Sequence, residues 1–371
     1  MIIDTAKYID YSIVNPSRLS EELTFDICSR CHLQGISVLK NNKNWEDFRP
    51  GTKLSETMEI FLPRHENNKD FIMASHVERL KQSKCHTIGK VTCIDCHNPH
   101  KSVTKTSKNF FNNKCLKCHS SCDEKIENTD CVSCHMKTSS SIDIPHVTIT
   151  DHNISVNQEA SSNEKGKFLG LKCINNTKPT NLSKAKAYLK YYESFQANNN
   201  YLDSAKLYLN LCHIESSFVS YINYFYLKQD YISLIQFYNY NKDKFRIDNF
   251  TKNNIGMTYY RIGESYVENS LNDSAYIYLN KAIENSPYDL DFQFKTAVLE
   301  LKMSMFETSK DRLKNIIKLN SRYSQAYFNL GSIYMNVDKN YKKAIENFEK
   351  AVLYDPDYNL ALINLNYLKN K

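Results

Sequence analysis

Apolar residues follow two regimes along the chain, and the regimes meet near residue 180. From about residue 181 they recur at every third or fourth position with polar residues between, which predicts packed amphipathic helices. One unit is plain: Ile262, Gly263, Tyr266, Ala275, Leu279, Ala282 and Pro287. It recurs as Leu330, Gly331, Tyr334, Ala344, Phe348, Ala351 and Pro356, with one extra residue in the Asp338-Lys339-Asn340 turn. A weaker copy between them holds Ser309, Leu313, Ile316 and Ser321. Small Gly and Ala belong where paired helices cross, large side chains fill the holes beside them, and the final Pro ends the second helix. Upstream, Ala205, Leu209 and Cys212, then Tyr221 to Tyr238, read as two degenerate units, for about five helix pairs in a curved solenoid. Residues 154–180 are polar, with Ser161-Ser162-Asn163-Glu164-Lys165-Gly166-Lys167, and read as a linker. Before them apolar residues are sparse. A short helix is expected around Ala74–Leu80 and an extended segment, by its alternation, over Pro145–His152. The expected division is 1–153, 154–180 and 181–371.

The repeat period, read from Ile262 to Leu330 as two steps, is about 34 residues, the tetratricopeptide length. Composition sharpens the boundary. Of 26 tyrosines, 24 lie between Tyr188 and Tyr367, while 11 of 12 cysteines lie at or before Cys173, so the two halves need different cores. The net charge of +7 also divides: residues 1–153 hold 20 Lys+Arg against 19 Asp+Glu, leaving 28 against 22 for the rest. That dispersed excess is a solvated surface and argues against a nucleic-acid partner. No stretch reaches the roughly 18 apolar residues of a membrane span. The start, Met1 to Lys7, lacks a signal peptide's charged and apolar regions.

Four segments of the first half repeat one pattern: Cys28-Ser29-Arg30-Cys31-His32, Cys93-Ile94-Asp95-Cys96-His97, Cys115-Leu116-Lys117-Cys118-His119 and Cys131-Val132-Ser133-Cys134-His135. This is the spacing of c-type haem attachment. Two cysteines on one turn of chain reach the two vinyl groups of one porphyrin edge as thioethers, and the next residue offers its imidazole to the iron as proximal ligand. Paired C-x-x-C units also build tetrahedral zinc sites. The histidine after every pair decides for haem, because zinc sites do not need it there. Four haems c are therefore expected, on His32, His97, His119 and His135. Three motifs fall between Cys93 and His135, too short a stretch to bury three porphyrins in polypeptide, so the haems themselves are expected to form that core.

Each iron also needs a sixth ligand or an open position, and His65, His76, His86, His100, His146, His152 and His213 remain. His100 follows His97 too closely to reach the far face of the same ring and should serve a neighbouring haem. His146 and His152 fall on one face of an extended segment, about 20 Å apart at strand rise, and should serve different irons, with Asp151 or a nearby carbonyl steadying a ring nitrogen. His76, on the short helix, is the fourth candidate; His65 and His86 rank below it, and His213 reads as a repeat side chain. Met136 is too close to His135 to reach the other face, so bis-histidine, low-potential haems are expected. Cys85 and Cys122 stand outside the motifs, as a disulfide or as free thiols.

On these residues the chain resembles bacterial multihaem c-type cytochromes in which tetratricopeptide repeats follow the haem domain, a group related to cytochromes of nitrogen-cycle electron transfer. The resemblance rests on Cys28–Gly35 (CSRCHLQG), Asp47–Gly51 (DFRPG), Cys93–His100 (CIDCHNPH), Cys131–Met136 (CVSCHM) and Asp143–Ile154 (DIPHVTITDHNI). It implies that His100, His146 and His152 are distal ligands. The expected fold is mostly α: a haem-cored domain with little regular structure, then an α-solenoid of tetratricopeptide helix pairs. The expected function is extracytoplasmic, and in bacteria periplasmic, electron transfer, with the repeats docking a redox partner protein. Export is needed for haem attachment, so the N-terminus is expected to be incomplete. The alternatives are a reductase of a small nitrogen or sulfur oxyanion at an open-site haem, and a repeat protein whose haems serve as a sensor or persist as a remnant.

Overall fold

The computed structural model describes residues 13–66, 75–119, 130–140, 148–156, 166–195, 197–246 and 250–370. The chain divides into two compact units, Met1–Gln196 and Ala197–Lys371.

In the first unit, α1 (Glu21–His32) starts at Ser20, whose hydroxyl accepts from the Leu23 N–H, and carries Glu21 and Glu22 in its first turn, where the helix dipole favours them. β1 (Ile36–Leu39) and β2 (Met58–His65) follow, then α2 (His76–Gln82), α3 (Lys84–Thr87), α4 (Cys93–Cys96), α5 (Lys108–Cys115) and α6 (Cys131–His135). β3 (Thr138–Ser140) pairs antiparallel with β4 (Thr148–Thr150). β5 (Phe168–Cys173) and α7 (Asn181–Ser194) complete the unit.

β2 is the centre of a three-stranded antiparallel sheet in the order β1-β2-β5, with Ile36 opposite Phe61 and Phe61 opposite Cys173. Its residues Met58 to Leu62 are all buried because both faces are covered. Met58 and Ile60 pack with Phe25, Leu33, Leu54, Val77 and Leu80, from α1, α2 and the intervening chain. Phe61 faces the other way, with Ile36, Val38 and Ala187 of α7. This period-2 division is what a strand between two layers requires.

Two expectations are corrected here. The segment 154–180 is not all linker, because β5 lies within it and pairs along β2, with Asn175 Oδ1 accepting from the Ile60 N–H at 2.9 Å. The helical pattern from residue 181 opens with α7, which belongs to the first unit and roofs its sheet; the Tyr188 hydroxyl accepts from the Leu171 N–H at 3.3 Å. The first unit therefore has more regular structure than expected, and a hydrocarbon core around β2.

Among its described residues the second unit has only helices as regular structure. α8 (Asn199–Leu209) precedes four helix pairs: α9 (Ile214–Leu227) with α10 (Tyr231–Asn241), α11 (Lys252–Glu268) with α12 (Asn272–Asn285), α13 (Leu290–Lys302) with α14 (Phe306–Leu319), and α15 (Ser324–Asn336) with α16 (Tyr341–Tyr354). α17 (Asn359–Lys369) closes the array. Four pairs with a flanking helix at each end replace the expected five. Each pair turns through one residue in the left-handed region, Gln229, Ser270, Ser304 and Lys339, with φ of 58°, 59°, 61° and 54°. Ala275, Leu279, Ala282, Ala344, Phe348 and Ala351 are fully buried. A Cβ on Gly263 would stand 2.8 Å from Leu279 Cγ, and one on Gly331 2.9 Å from the Phe348 ring, so both glycines are demanded by close helix approach.

Candidate haem ligands and the repeat surface

All four motifs include helical backbone. Cys28, Cys31 and His32 end α1, Cys93 and Cys96 span α4, Cys115 ends α5 with Cys118 in the next turn, and α6 runs from Cys131 to His135. A spacing of three on helical backbone puts both thiols of a motif on one face. The turns are set by local caps. Thr92 and Asp95 form a reciprocal capping box at α4, and the Asp130 side chain accepts from the Val132 N–H at α6. Among the described residues, α4, α5 and α6 bury no side chain, and Cys31, Cys118 and Cys134 are exposed.

The first cysteines of the motifs meet in pairs. Cys93 donates its S–H to Cys28, which brings the Cys28 thiol down to about 7 and drives the Cys93 thiol far up, burial adding to the latter. Both sulfurs pack against the apolar core around Phe25 and Ile60. Cys115 hydrogen-bonds Cys131, and burial, then the neighbouring thiols Cys131 and Cys96, lift it to about 11. Cys85 is a free, half-buried thiol pushed up by burial and then by Cys118. Its suggested partner Cys122 lies outside the described residues.

Four histidines form a row. His32 stands edge-on to His76 with centroids 5.6 Å apart, His76 edge-on to His152 at 4.7 Å, and His152 is stacked with His97 at 6.1 Å and 29°. Motif histidines thus occupy the ends, and two of the candidate distal histidines the middle. Three of the four approach from separate elements: His32 ends α1, His76 opens α2 and His97 caps the C-terminus of α4, while His152 follows β4. His152 Nδ1 lies 3.1 Å from the Thr150 carbonyl, which makes Nδ1 the protonated nitrogen and leaves Nε2 with a lone pair for a metal. Burial, then His76 and His97, lower the His152 imidazole to about 4; burial and then His32 lower that of His97. Both rings are neutral near pH 7, the form a metal takes.

An ion pair lies behind this row. Arg79 Nε reaches Asp151 Oδ1 at 2.8 Å and Nη2 reaches Oδ2 at 2.5 Å, a two-pronged contact joining α2 to the residue after β4. Burial alone would raise the Asp151 carboxyl, but the hydrogen bonds from Arg79 and the Asn153 N–H, with the Arg79 charge, hold it below its ordinary value. The expectation that Asp151 or a carbonyl steadies the imidazole resolves in favour of the Thr150 carbonyl. Sequence reading missed Arg79; the available signal was its place three residues after His76.

The remaining candidates are placed as follows. His135 Nδ1 lies 3.4 Å from the Ser155 carbonyl, again directing Nε2 outward. His100 and His119 are exposed. His146 lies outside the described residues. His86 is a core histidine, with Nδ1 at 3.1 Å from the Val91 carbonyl, Nε2 at 3.5 Å from Glu21 and its ring edge-on to Phe25 at 5.1 Å. His65 packs edge-on to Phe168, and the His213 carbonyl anchors the start of α9.

The donor set suits haem c: a dithiol on one turn, an imidazole directly after it, and further imidazoles in neighbouring pairs. Among the described residues no three His, Cys, Asp or Glu side chains converge on one point as a metal cage. A haem iron asks for only two protein ligands.

In the repeat unit, Met257, Tyr260, Glu264, Asp291, Phe292 and Lys295 line a cavity of about 240 Å³. Tyr260 stacks on Phe292 at 4.6 Å, Glu264 pairs with Lys295 at 2.5 Å, and the Tyr226 hydroxyl donates to Glu264. Deeper in, Arg312 on α14 holds the fully buried Glu300 of α13 at 2.8 Å and also reaches Gln293 and Asn280, so one guanidinium ties three helices. Among the described residues no helix is long and apolar enough to cross a membrane.

The tetratricopeptide-repeat family model matches residues 258–289 and 324–358. The former spans parts of α11 and α12 and the latter α15 and α16, so the C-terminal unit is a tetratricopeptide solenoid. Similar solved structures include MamA (22% identity, 40% of this chain and 82% of that one, TM-score 0.35). A second is YrrB, a TPR protein with an unusual peptide-binding site (19%, 48% and 90%, TM-score 0.38). A third is the first TPR of Spaghetti bound to an HSP90 peptide (18%, 32% and 94%, TM-score 0.31). No curated protein sequence matches the chain.

Proposed function

We propose that the chain is an extracytoplasmic electron-transfer cytochrome carrying four covalently attached haems c, with a tetratricopeptide unit that docks a redox partner protein. The observation that carries the reading is the row His32, His76, His152, His97, with the motif turns α4, α5 and α6 burying no residue of their own. Cys28 and Cys31, Cys93 and Cys96, Cys115 and Cys118, and Cys131 and Cys134 would hold the four porphyrins; His32, His97, His119 and His135 would be the proximal ligands, and His76, His100, His146 and His152 the distal ones. Haem supplies reversible one-electron chemistry at iron, with a potential set by its axial ligands. The chain's own part is to fix those ligands. The Thr150 and Ser155 carbonyls hold Nδ1 of His152 and His135 and so keep Nε2 on the ligand side. Three motifs between Cys93 and His135 would hold their haems close together, so that electrons could pass between neighbours. Tetratricopeptide solenoids present extended surfaces to protein partners, and the cavity by Tyr260 and Glu264 is a candidate contact point here.

The deciding experiment is the intact mass, under denaturing conditions, of the chain exported with a c-type maturation system. A gain of four haems is the expected result. An unmodified mass from folded, exported protein overturns the reading and turns attention to zinc. High-spin haem in the resting native spectrum would move the function from relay to reductase.

A further inference from the structure

We infer that Arg79 and Asp151 are a positioning pair whose task is to present His76 and His152 as the distal ligands of the haems on His32 and His97. The inference rests on the haem reading above and adds to it the ligand pairing and the residues that enforce it. In the row of four rings each motif histidine has one distal candidate beside it, His76 next to His32 and His152 next to His97. The two middle rings are also in mutual contact at 4.7 Å, so whatever moves one disturbs the other. They come from elements far apart in sequence. Arg79 and Asp151 are separated by 72 positions, yet each sits beside a candidate ligand, Arg79 three residues after His76 on the same helix and Asp151 directly before His152.

The geometry of the pair is that of a fixed brace. Both prongs of the guanidinium engage the carboxylate, and the two side chains are only 13% and 7% exposed. Asp151 is itself pinned: its N–H donates to the Lys137 carbonyl at 2.9 Å and its Oδ1 accepts from the Asn153 N–H at 2.8 Å. Arg79 is seated by its N–H on the Ser75 carbonyl and by Nη1 on Gln82 Oε1. A planar fork locked at both ends fixes distance and angle together, which a single-point lysine contact cannot do. It also costs desolvation that an apolar contact would avoid, so its return is sought in placement.

The test uses the full exported holoprotein with Asp151→Asn, which keeps the shape and removes the charge, and Arg79→Lys, which keeps the charge and removes the fork. Haem number is read by denatured mass. Spin state is read by electron paramagnetic resonance and by carbon monoxide binding to the reduced native protein. Both variants are expected to retain the wild-type haem number while up to about half of the irons lose the sixth ligand, turning high-spin and carbon-monoxide reactive, Asp151→Asn more than Arg79→Lys. Wild-type haem number with wholly low-spin, unreactive iron in both variants overturns the inference and leaves the haem reading standing. An unmodified wild-type mass overturns the haem reading itself. If neither variant accumulates as holoprotein while His152→Ala does, the pair is a folding element and the inference falls.

Discussion

Helices α5 and α12 both carry a pair of aromatic side chains, and they use them differently. α12 buries Ala275, Leu279 and Ala282 completely against its partner α11, and Tyr278 stacks on Tyr266 at 5.4 Å. α5 carries Phe110 and Phe111, packed edge-on to each other at 5.5 Å, yet buries no residue, and α4 and α6 repeat that pattern. A repeat helix finds its apolar partner in the next helix along the chain. The α4, α5 and α6 turns bury no residue, and Cys31, Cys118 and Cys134 are exposed. The first unit also holds an ordinary core, the sheet around β2, and Cys28 and Cys93 pack against it.

The largest effects that would test this contrast lie in the repeat unit. Phe348→Ala is expected to cost about 3–5 kcal/mol of that unit's stability in a denaturant titration followed by far-ultraviolet circular dichroism. Glu300→Ala belongs in the same range, because it leaves Arg312 buried without its carboxylate; a loss below about 1 kcal/mol for either would show that the buried pattern is not what holds the repeats. A smaller change of opposite sign is expected at Lys186 on α7, whose ammonium burial and then Lys40 bring down to about 8. Between pH 8 and the ordinary lysine value the unfolded chain binds the extra proton, so this burial penalty is complete below pH 8 and fades as pH rises. Lys186→Met, even after losing the 2.6 Å bond to Asn41, should stabilise the first unit by about 1–2 kcal/mol at pH 7. That advantage should shrink towards pH 10.5, and a pH-independent difference would refute the cause assigned. Ser270→Gly and Ser304→Gly, at left-handed turns, should each add about 0.5–1 kcal/mol, additively, in the same titration. Smallest of all, Leu116→Ala in a motif turn should change the stability of the haem-free chain by less than about 0.5 kcal/mol, since Leu116 is 55% exposed.

Legibility in the sequence followed the range of the contacts. Ile262, Ala275, Leu279, Leu313, Ile316, Ala344 and Ala351 were readable as core because their partners lie within one period, and all are fully buried. The sheet was not readable. β2 meets β5 more than a hundred positions away, with no turn signal between them, and β5 lies in polar sequence whose burial only half alternates. The candidate ligands divided in the same way. The four motifs are local and were plain. That His76 and His152 would share one row with His32 and His97 is a consequence of packing, and Arg79 is invisible until the partner of Asp151 is known.

The turns of the solenoid carry one further consequence. Ser270 and Ser304 stand 34 residues apart, and Ser304 and Lys339 stand 35 apart, each in the same backbone conformation. A stretch cut from one such joint to the next is one rung, beginning and ending on the same kind of turn. Inserting a second copy of residues 271–304 after Ser304 would lengthen the ladder by one rung without redirecting its neighbours. The length of the solenoid's surface is thus a quantity that duplication can set in whole steps.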